Sequence, residues 1–186
     1  MVDLSRDVGW LWFGVGVIFT FEALSTRQRT LLAKPVASYR ERALLLIGAI
    51  AIFFRTGIGE VRLFPDSALM NVVAFSAVVA GLSLMLWARL VLREQWHGQA
   101  AIRAGHELIR EGPYRFVRHP IYSGLALALA GTVALRGDAA ACAGLAAVLI
   151  AIRLKIAAED RLLTAHFGER FASYRRAVKA FVPYVG

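Results

Sequence analysis

The chain has 186 residues, of which 58% are hydrophobic and only 19% are charged. Its mean hydropathy is +0.57, which excludes a disordered chain and leaves too little polar surface for an ordinary soluble domain. The net charge of +9 suits either nucleic acid or an anionic membrane surface. Because hydropathy favours the membrane, we expect an all-α integral membrane protein that forms one domain over residues 1–186.

Five apolar segments are predicted to be membrane helices, because a span needs roughly 20 mostly apolar residues. The last two are short, and Arg136-Gly137-Asp138 joins them as a helical hairpin whose arms have to tilt, thin the bilayer or extend. Cytoplasmic helix is expected at 160–165 and 169–180, with an interruption at Gly168. In chain order the five predicted spans are 8–24, 43–58, 68–92, 121–135 and 139–152.

The positions of the basic residues predict how the chain is oriented. Eighteen of the 22 lysines and arginines fall in the segments 27–42, 89–118 and 153–179. Since basic loops stay on the cytoplasmic side, the N-terminus is predicted outside and the C-terminus in the cytoplasm. The basic charge therefore follows membrane topology, and we expect no nucleic-acid partner.

The densest group of reactive side chains is the string 112–124, at the start of the fourth predicted helix. Pro120 suits the first turn of a helix, and the free N–H groups there attract anions. Arg118 presents a planar fork to a carboxylate, and His119 can donate, accept or titrate. The same residue types also form interfacial belts in membrane proteins, which is the alternative for this string.

Four further features bear on chemistry. Glu159 and Asp160, just after the fifth predicted span, could hold a cationic group or could form a solvated turn with Arg161. Arg89 could be a snorkelling anchor or could point into a site. The four histidines show no metal-ligand spacing, so no metal is expected. The pair Gly14 and Gly16 lies inside a span, where it would permit close helix packing and not nucleotide binding.

The string from His106 to Gly124 resembles the isoprenylcysteine carboxyl methyltransferase family. That family's pattern is His-x-Leu, then Gly-x-Tyr, then Arg-His-Pro-x-Tyr-x-Gly, and all three parts are present in order. The tail from Arg153 to Pro183 also follows the family's order. The tail departs from the family pattern at Asp160, where the family commonly has a second glutamate, and at Phe171, where the family has a tyrosine.

This resemblance implies a methyltransferase embedded in the membrane that uses S-adenosylmethionine. Residues 1–66 would be scaffold helices and residues 67–186 the methyltransferase-like core of a compact prokaryotic form, in the inner or plasma membrane. A lipophilic or lipidated acceptor would enter from the bilayer. Arg118, Glu159 and Arg89 are the candidates for catalysis. The cofactor pocket would be lined by His106, Leu108, Gly112, Tyr114, Arg118, His119, Pro120, Tyr122, Glu159 and Asp160.

The identity of the acceptor stays open in the sequence. Carboxyl O-methylation of an isoprenylcysteine-type compound leads, and it needs only a positioned cation such as Arg118 or Arg89. N-methylation of a phospholipid headgroup would need a base, for which Glu159 or His119 are candidates. A sterol-type reductase using NADPH and a non-enzymatic membrane protein, such as a small transporter, are the remaining alternatives.

Overall fold

The helices of this protein are seen in a computed structural model that describes residues 4–26, 39–54, 61–92 and 108–181. These residues form helices and contain no named strand, so the predicted all-α class is confirmed for them. The elements are α1 (Leu4–Thr26), α2 (Tyr39–Phe53), α3 (Ala68–Leu92), a short 3₁₀ helix (Gly112–Arg115), α4 (Pro120–Arg136), α5 (Ala139–Phe167) and α6 (Glu169–Ala177).

Two of the described helices, α3 and α5, are long and apolar enough to cross a membrane. The bounds predicted for α3 are confirmed, and its surface carries exposed apolar side chains such as Leu69, Val72 and Leu90. The 17 residues of α4 span only about 26 Å, less than a bilayer core of about 30 Å. The total of five spans stays a prediction.

Two helix boundaries differ from the sequence prediction. The fifth predicted span, 139–152, and the helix predicted at 160–165 belong to one helix, α5, which has 29 residues. Hydropathy marks the end of the apolar stretch, whereas the helix continues because no glycine or proline occurs between residue 152 and Gly168, whose φ is +54°. The last helix ends at Ala177 and not at residue 180, because the following residues are extended.

The predicted hairpin between α4 and α5 is confirmed. Gly137 ends α4 with a left-handed backbone (φ +70°), and the Asp138 carboxylate caps α5 by accepting from the Ala141 N–H at 2.9 Å. The arms of the hairpin nevertheless pack less against each other than against earlier helices. The most extensive contacts join α4 to α3 and α5 to α2.

Close packing between helices depends on glycine, but not on the pair predicted from the sequence. A Cβ at Gly124 would lie 2.5 Å from the carbonyl oxygen of Gly81, so α3 and α4 touch backbone to backbone. Gly144 meets Gly48 in the same way where α5 crosses α2. The packing role predicted for Gly14 and Gly16 has no support among the described residues, since a Cβ there meets none of their atoms within 4 Å. These contacts fix the start of α4 beside the last turns of α3.

Candidate active site

His119 lies at the start of α4, between two carboxylates of α5. Its Nε2 is 2.9 Å from Asp160 Oδ1, and its Nδ1 is 3.4 Å from Glu159 Oε2. Burial alone would lower the pKa of His119, but the hydrogen bonds to Asp160 and Glu159 outweigh it and raise the pKa above the ordinary value. The ring is therefore favoured as an imidazolium that donates from Nε2 to Asp160 and lies within ion-pair distance of Glu159.

Arg118 completes a buried ion pair with the second of these acids. Its Nη2 is 2.9 Å from Asp160 Oδ2, and only 8% and 12% of the two side chains are exposed. Its Nη1 donates to the carbonyl oxygens of Val178 and Arg175. Both oxygens of Asp160 thus face cations within the protein, so its carboxylate is committed to holding the start of α4 against α5.

Glu159, one position before Asp160 on α5, is more exposed than Asp160. Its Oε1 accepts from the Tyr122 hydroxyl at 2.5 Å, and 20% of its side chain is exposed. The Tyr122 ring stacks on His119 with centroids 5.9 Å apart, and Lys155 Nζ is 5.6 Å from the centre of the Tyr122 ring. Glu159 therefore offers a carboxylate next to an aromatic face at the edge of the cluster.

Tyr114, in the 3₁₀ helix, lies between this cluster and the end of α3. Its hydroxyl is 3.4 Å from the Ala88 carbonyl oxygen. Burial raises the pKa of Tyr114 far above its usual range, and the nearby Arg89 charge opposes that rise. Arg89 is itself 8% exposed, so it is buried and does not snorkel. Gly112 begins this turn with φ +56°, where a Cβ would lie 2.8 Å from Val91.

An extended tail segment, residues 178–181, runs beside the Arg118–His119 backbone. The Arg118 N–H donates to the Lys179 carbonyl at 2.8 Å, and the His119 N–H donates to the Ala180 carbonyl at 3.0 Å. The Ser123 hydroxyl donates to the Phe181 carbonyl. The tail therefore satisfies backbone donors at the start of α4 that would otherwise be free.

Five of the predicted site residues make direct contacts with one another: Arg118, His119, Tyr122, Glu159 and Asp160. Gly112, Tyr114 and Pro120 belong to the adjoining turns, and Leu108 begins the described segment that leads into them. His106 lies outside the described residues.

Sequence reasoning missed three contributors to this site. The tail carbonyls carry no side-chain signal, so composition and motifs could not reveal them. Lys155 lies one turn before Glu159 on α5, a spacing that places both on one face. Glu41 is buried in the first turn of α2, and its charge is near enough to act on Tyr122. The sequence signal for Glu41 was its position as an acidic residue at the start of an apolar helix.

The model of the isoprenylcysteine carboxyl methyltransferase (ICMT) family matches residues 72–165, just over half of the chain. The chain belongs to the ICMT family. It is also similar to protein-S-isoprenylcysteine O-methyltransferase B of Arabidopsis thaliana, with 35% identity over 81 residues. That alignment covers 43% of this chain and 41% of the relative, so the chain spans about two-fifths of the length of that relative.

Membership in the ICMT family, together with the apolar helices α3 and α5, places the protein in a membrane. The matched region includes Arg89, the 3₁₀ helix, the start of α4 and both acids of α5. It excludes α6 and the tail segment. The Arg118 side chain therefore bridges the matched region and a part of the chain that the family model leaves out.

Proposed function

We propose that this ICMT-family protein transfers a methyl group from S-adenosylmethionine to the carboxylate of a lipophilic, isoprenylcysteine-type acceptor. The observation that carries the proposal is the pairing of His119 with Glu159 and Asp160. Because its pKa is raised, His119 is favoured as an imidazolium, which is poorly suited to removing a proton. A site built around it suits an acceptor that is already an anion, and a carboxylate is one.

The residues present fit the cofactor that the family implies. S-adenosylmethionine carries a positive sulfur and an amino group, which favour a carboxylate and aromatic faces. Glu159, at the edge of the cluster, and the rings of Tyr122 and Tyr114 would hold these groups, with His106 and Leu108 as further proposed contacts. When bound, the cofactor supplies an activated methyl group.

The protein's own part is alignment and exclusion of water. Arg118 and His119 hold Asp160, and through it they fix the distance between α4 and α5. We assign Arg118 mainly to this positioning, because Asp160 and the tail carbonyls already engage its guanidinium. Arg89 supplies a buried positive charge close to Tyr114, and we propose that it faces the acceptor carboxylate.

The proposal includes an arrangement in the membrane. The basic residues support five spans, with the N-terminus outside and the active site on the cytoplasmic side. The acceptor would reach the site from within the bilayer, between helices whose outer faces are apolar.

Binding of S-adenosylhomocysteine to the detergent-purified full chain tests the cofactor, with NADPH as the comparison ligand. We expect saturable binding of S-adenosylhomocysteine and none of NADPH. Glu159→Gln should weaken that binding about tenfold or more, whereas Glu169→Gln, at an exposed position of α6, should leave it unchanged. Binding of NADPH alone would support a reductase instead, and equal binding by both variants would refute the role of Glu159.

A further inference from the structure

A cavity of about 660 Å³ lies beside the active-site cluster, on another face of α5. Its walls include apolar side chains such as Ile156 and Ala157, and α6 closes one side with Arg175. Glu159 and Lys155, which face Tyr122, do not line it. Asp160 lines the cavity and also belongs to the cluster, where its carboxylate bonds to Arg118 and His119.

The cavity is lined by positive charge. Arg153, Arg161 and Arg175 border it, and all three are exposed. Its single acid, Asp160, is already bonded to Arg118 and His119. Within the ranges that the structure describes, no carboxylate pairs with these three arginines. Apolar walls with a rim of guanidinium groups suit an amphiphilic anion.

The position of the cavity along α5 indicates which kind of anion would bind there. The 29 residues of α5 extend about 43 Å, so that roughly one-third of the helix projects past a bilayer core of about 30 Å. With Ala139 placed at the outer edge of the bilayer core, that core ends near residue 158, and the cavity residues of α5 run from Arg153 to Ala165. This placement puts the cavity at the level of the lipid phosphates, where arginine side chains attract anionic headgroups.

We propose that this cavity binds the phosphate of an anionic membrane phospholipid, such as phosphatidylglycerol, with Arg153, Arg161 and Arg175 around the headgroup and Ile156 against its glycerol and upper chain. The arginine fork matches phosphate oxygens in pairs. The proposal concerns binding and not methyl transfer, so a binding measurement is enough to test it.

Native mass spectrometry and thermal melting of the full chain in a neutral detergent would measure this binding. The probes are phosphatidylglycerol, phosphatidylcholine with matched chains, inorganic phosphate and a prenylcysteine acid. We expect phosphatidylglycerol to bind and to raise the melting temperature, and the other three to do neither at this site. The double variant Arg161→Gln/Arg175→Gln should bind phosphatidylglycerol about tenfold or more weakly.

A matched control is Arg170→Gln/Arg176→Gln, which removes the same charge from α6 outside the cavity. We expect it to bind phosphatidylglycerol like the wild type, and Arg153→Gln to weaken binding on its own. If the control variant loses phosphatidylglycerol binding to the same extent, surface charge attracts the lipid, and the proposed site is wrong. Equal binding of phosphatidylcholine or of inorganic phosphate would also overturn it. Competition by the prenylcysteine acid would reassign the cavity to the acceptor.

Discussion

His119 is the residue on which the charges of the site converge, and its two neighbours on α5 have different tasks. The sequence predicted that Arg118, His119, Tyr122, Glu159 and Asp160 share a site, because motif order and the hairpin bring the two segments together. It could not separate Glu159 from Asp160. Adjacent residues on a helix point about 100° apart, and only the packing of α5 decides which one is enclosed.

The pH dependence of stability tests the charge on His119. Because its folded-state pKa is raised, the protonated ring stabilises the folded protein. This contribution is complete below the unfolded pKa of 6.5 and is lost as the pH rises through the higher folded value. We expect the melting temperature in detergent to fall over that window, and to fall less steeply in His119→Gln. A control, His166→Gln at the end of α5, should keep the wild-type slope; identical slopes for all three proteins would contradict the assignment.

Neutralising Asp160 and neutralising Glu159 should have different effects on stability and on cofactor binding. Asp160→Asn leaves the buried Arg118 charge without its carboxylate, and we expect a loss of about 3 kcal/mol in the free energy of unfolding. Glu159→Gln should cost less stability than Asp160→Asn because Glu159 is more exposed, yet it should raise the KM for S-adenosylmethionine. Thermal melting and steady-state kinetics of both variants check this. Equal effects on stability would show that the carboxylates share one role.

The sequence predicted which stretches form apolar helices, but it did not predict where those helices end. The bounds of α3 and the hairpin were predicted because hydropathy and Arg136-Gly137-Asp138 mark them locally. The continuation of α5 past residue 152 follows from the lack of a helix breaker before Gly168, which hydropathy does not show, and the extended tail depends on contacts with distant residues. The glycines at the α3–α4 and α2–α5 crossings look in the sequence like Gly14 and Gly16, and only the approach of a second backbone distinguishes them.

The α3–α4 crossing can be tested with single methyl groups. Gly124→Ala would place a Cβ 2.5 Å from the Gly81 carbonyl oxygen, where a backbone has to move. We expect a loss of about 1–3 kcal/mol, as in other overpacked contacts. Gly14→Ala, which meets no described atom within 4 Å, is the matched control and should be neutral or slightly stabilising. Comparable melting temperatures for the two variants would refute backbone contact at this crossing.

The tail segment should be required for the site through its backbone. Removing residues 178–186 takes away the carbonyls that accept from Arg118 and His119, so we expect binding of S-adenosylhomocysteine to fall about tenfold or more. Lys179→Ala keeps its carbonyl and removes only an exposed side chain, and it should bind normally. A truncated protein that stays folded by circular dichroism and binds like the wild type would show that the tail does not position the site.

For the whole molecule, composition and charge indicated a membrane protein, and family membership with two apolar helices agrees. The five spans and the outside N-terminus remain predictions, because they depend on where a bilayer lies around the chain. The acceptor was open in the sequence because O- and N-methylation share one cofactor. The pairing of His119 with Glu159 and Asp160 supports a carboxylate acceptor, because it engages one of the two side chains that could act as the base for an amine acceptor.

Transfer of a labelled methyl group is the most direct test of the central claim. The purified full chain would be incubated in detergent–lipid micelles with methyl-labelled S-adenosylmethionine and a synthetic prenylcysteine acid. We predict incorporation that alkali releases as labelled methanol, because the product is an ester, and no incorporation into the matching prenylcysteine amide. Label that resists alkali and appears on an amine-bearing phospholipid would contradict carboxyl methylation, and no transfer to any acceptor would contradict the proposed activity.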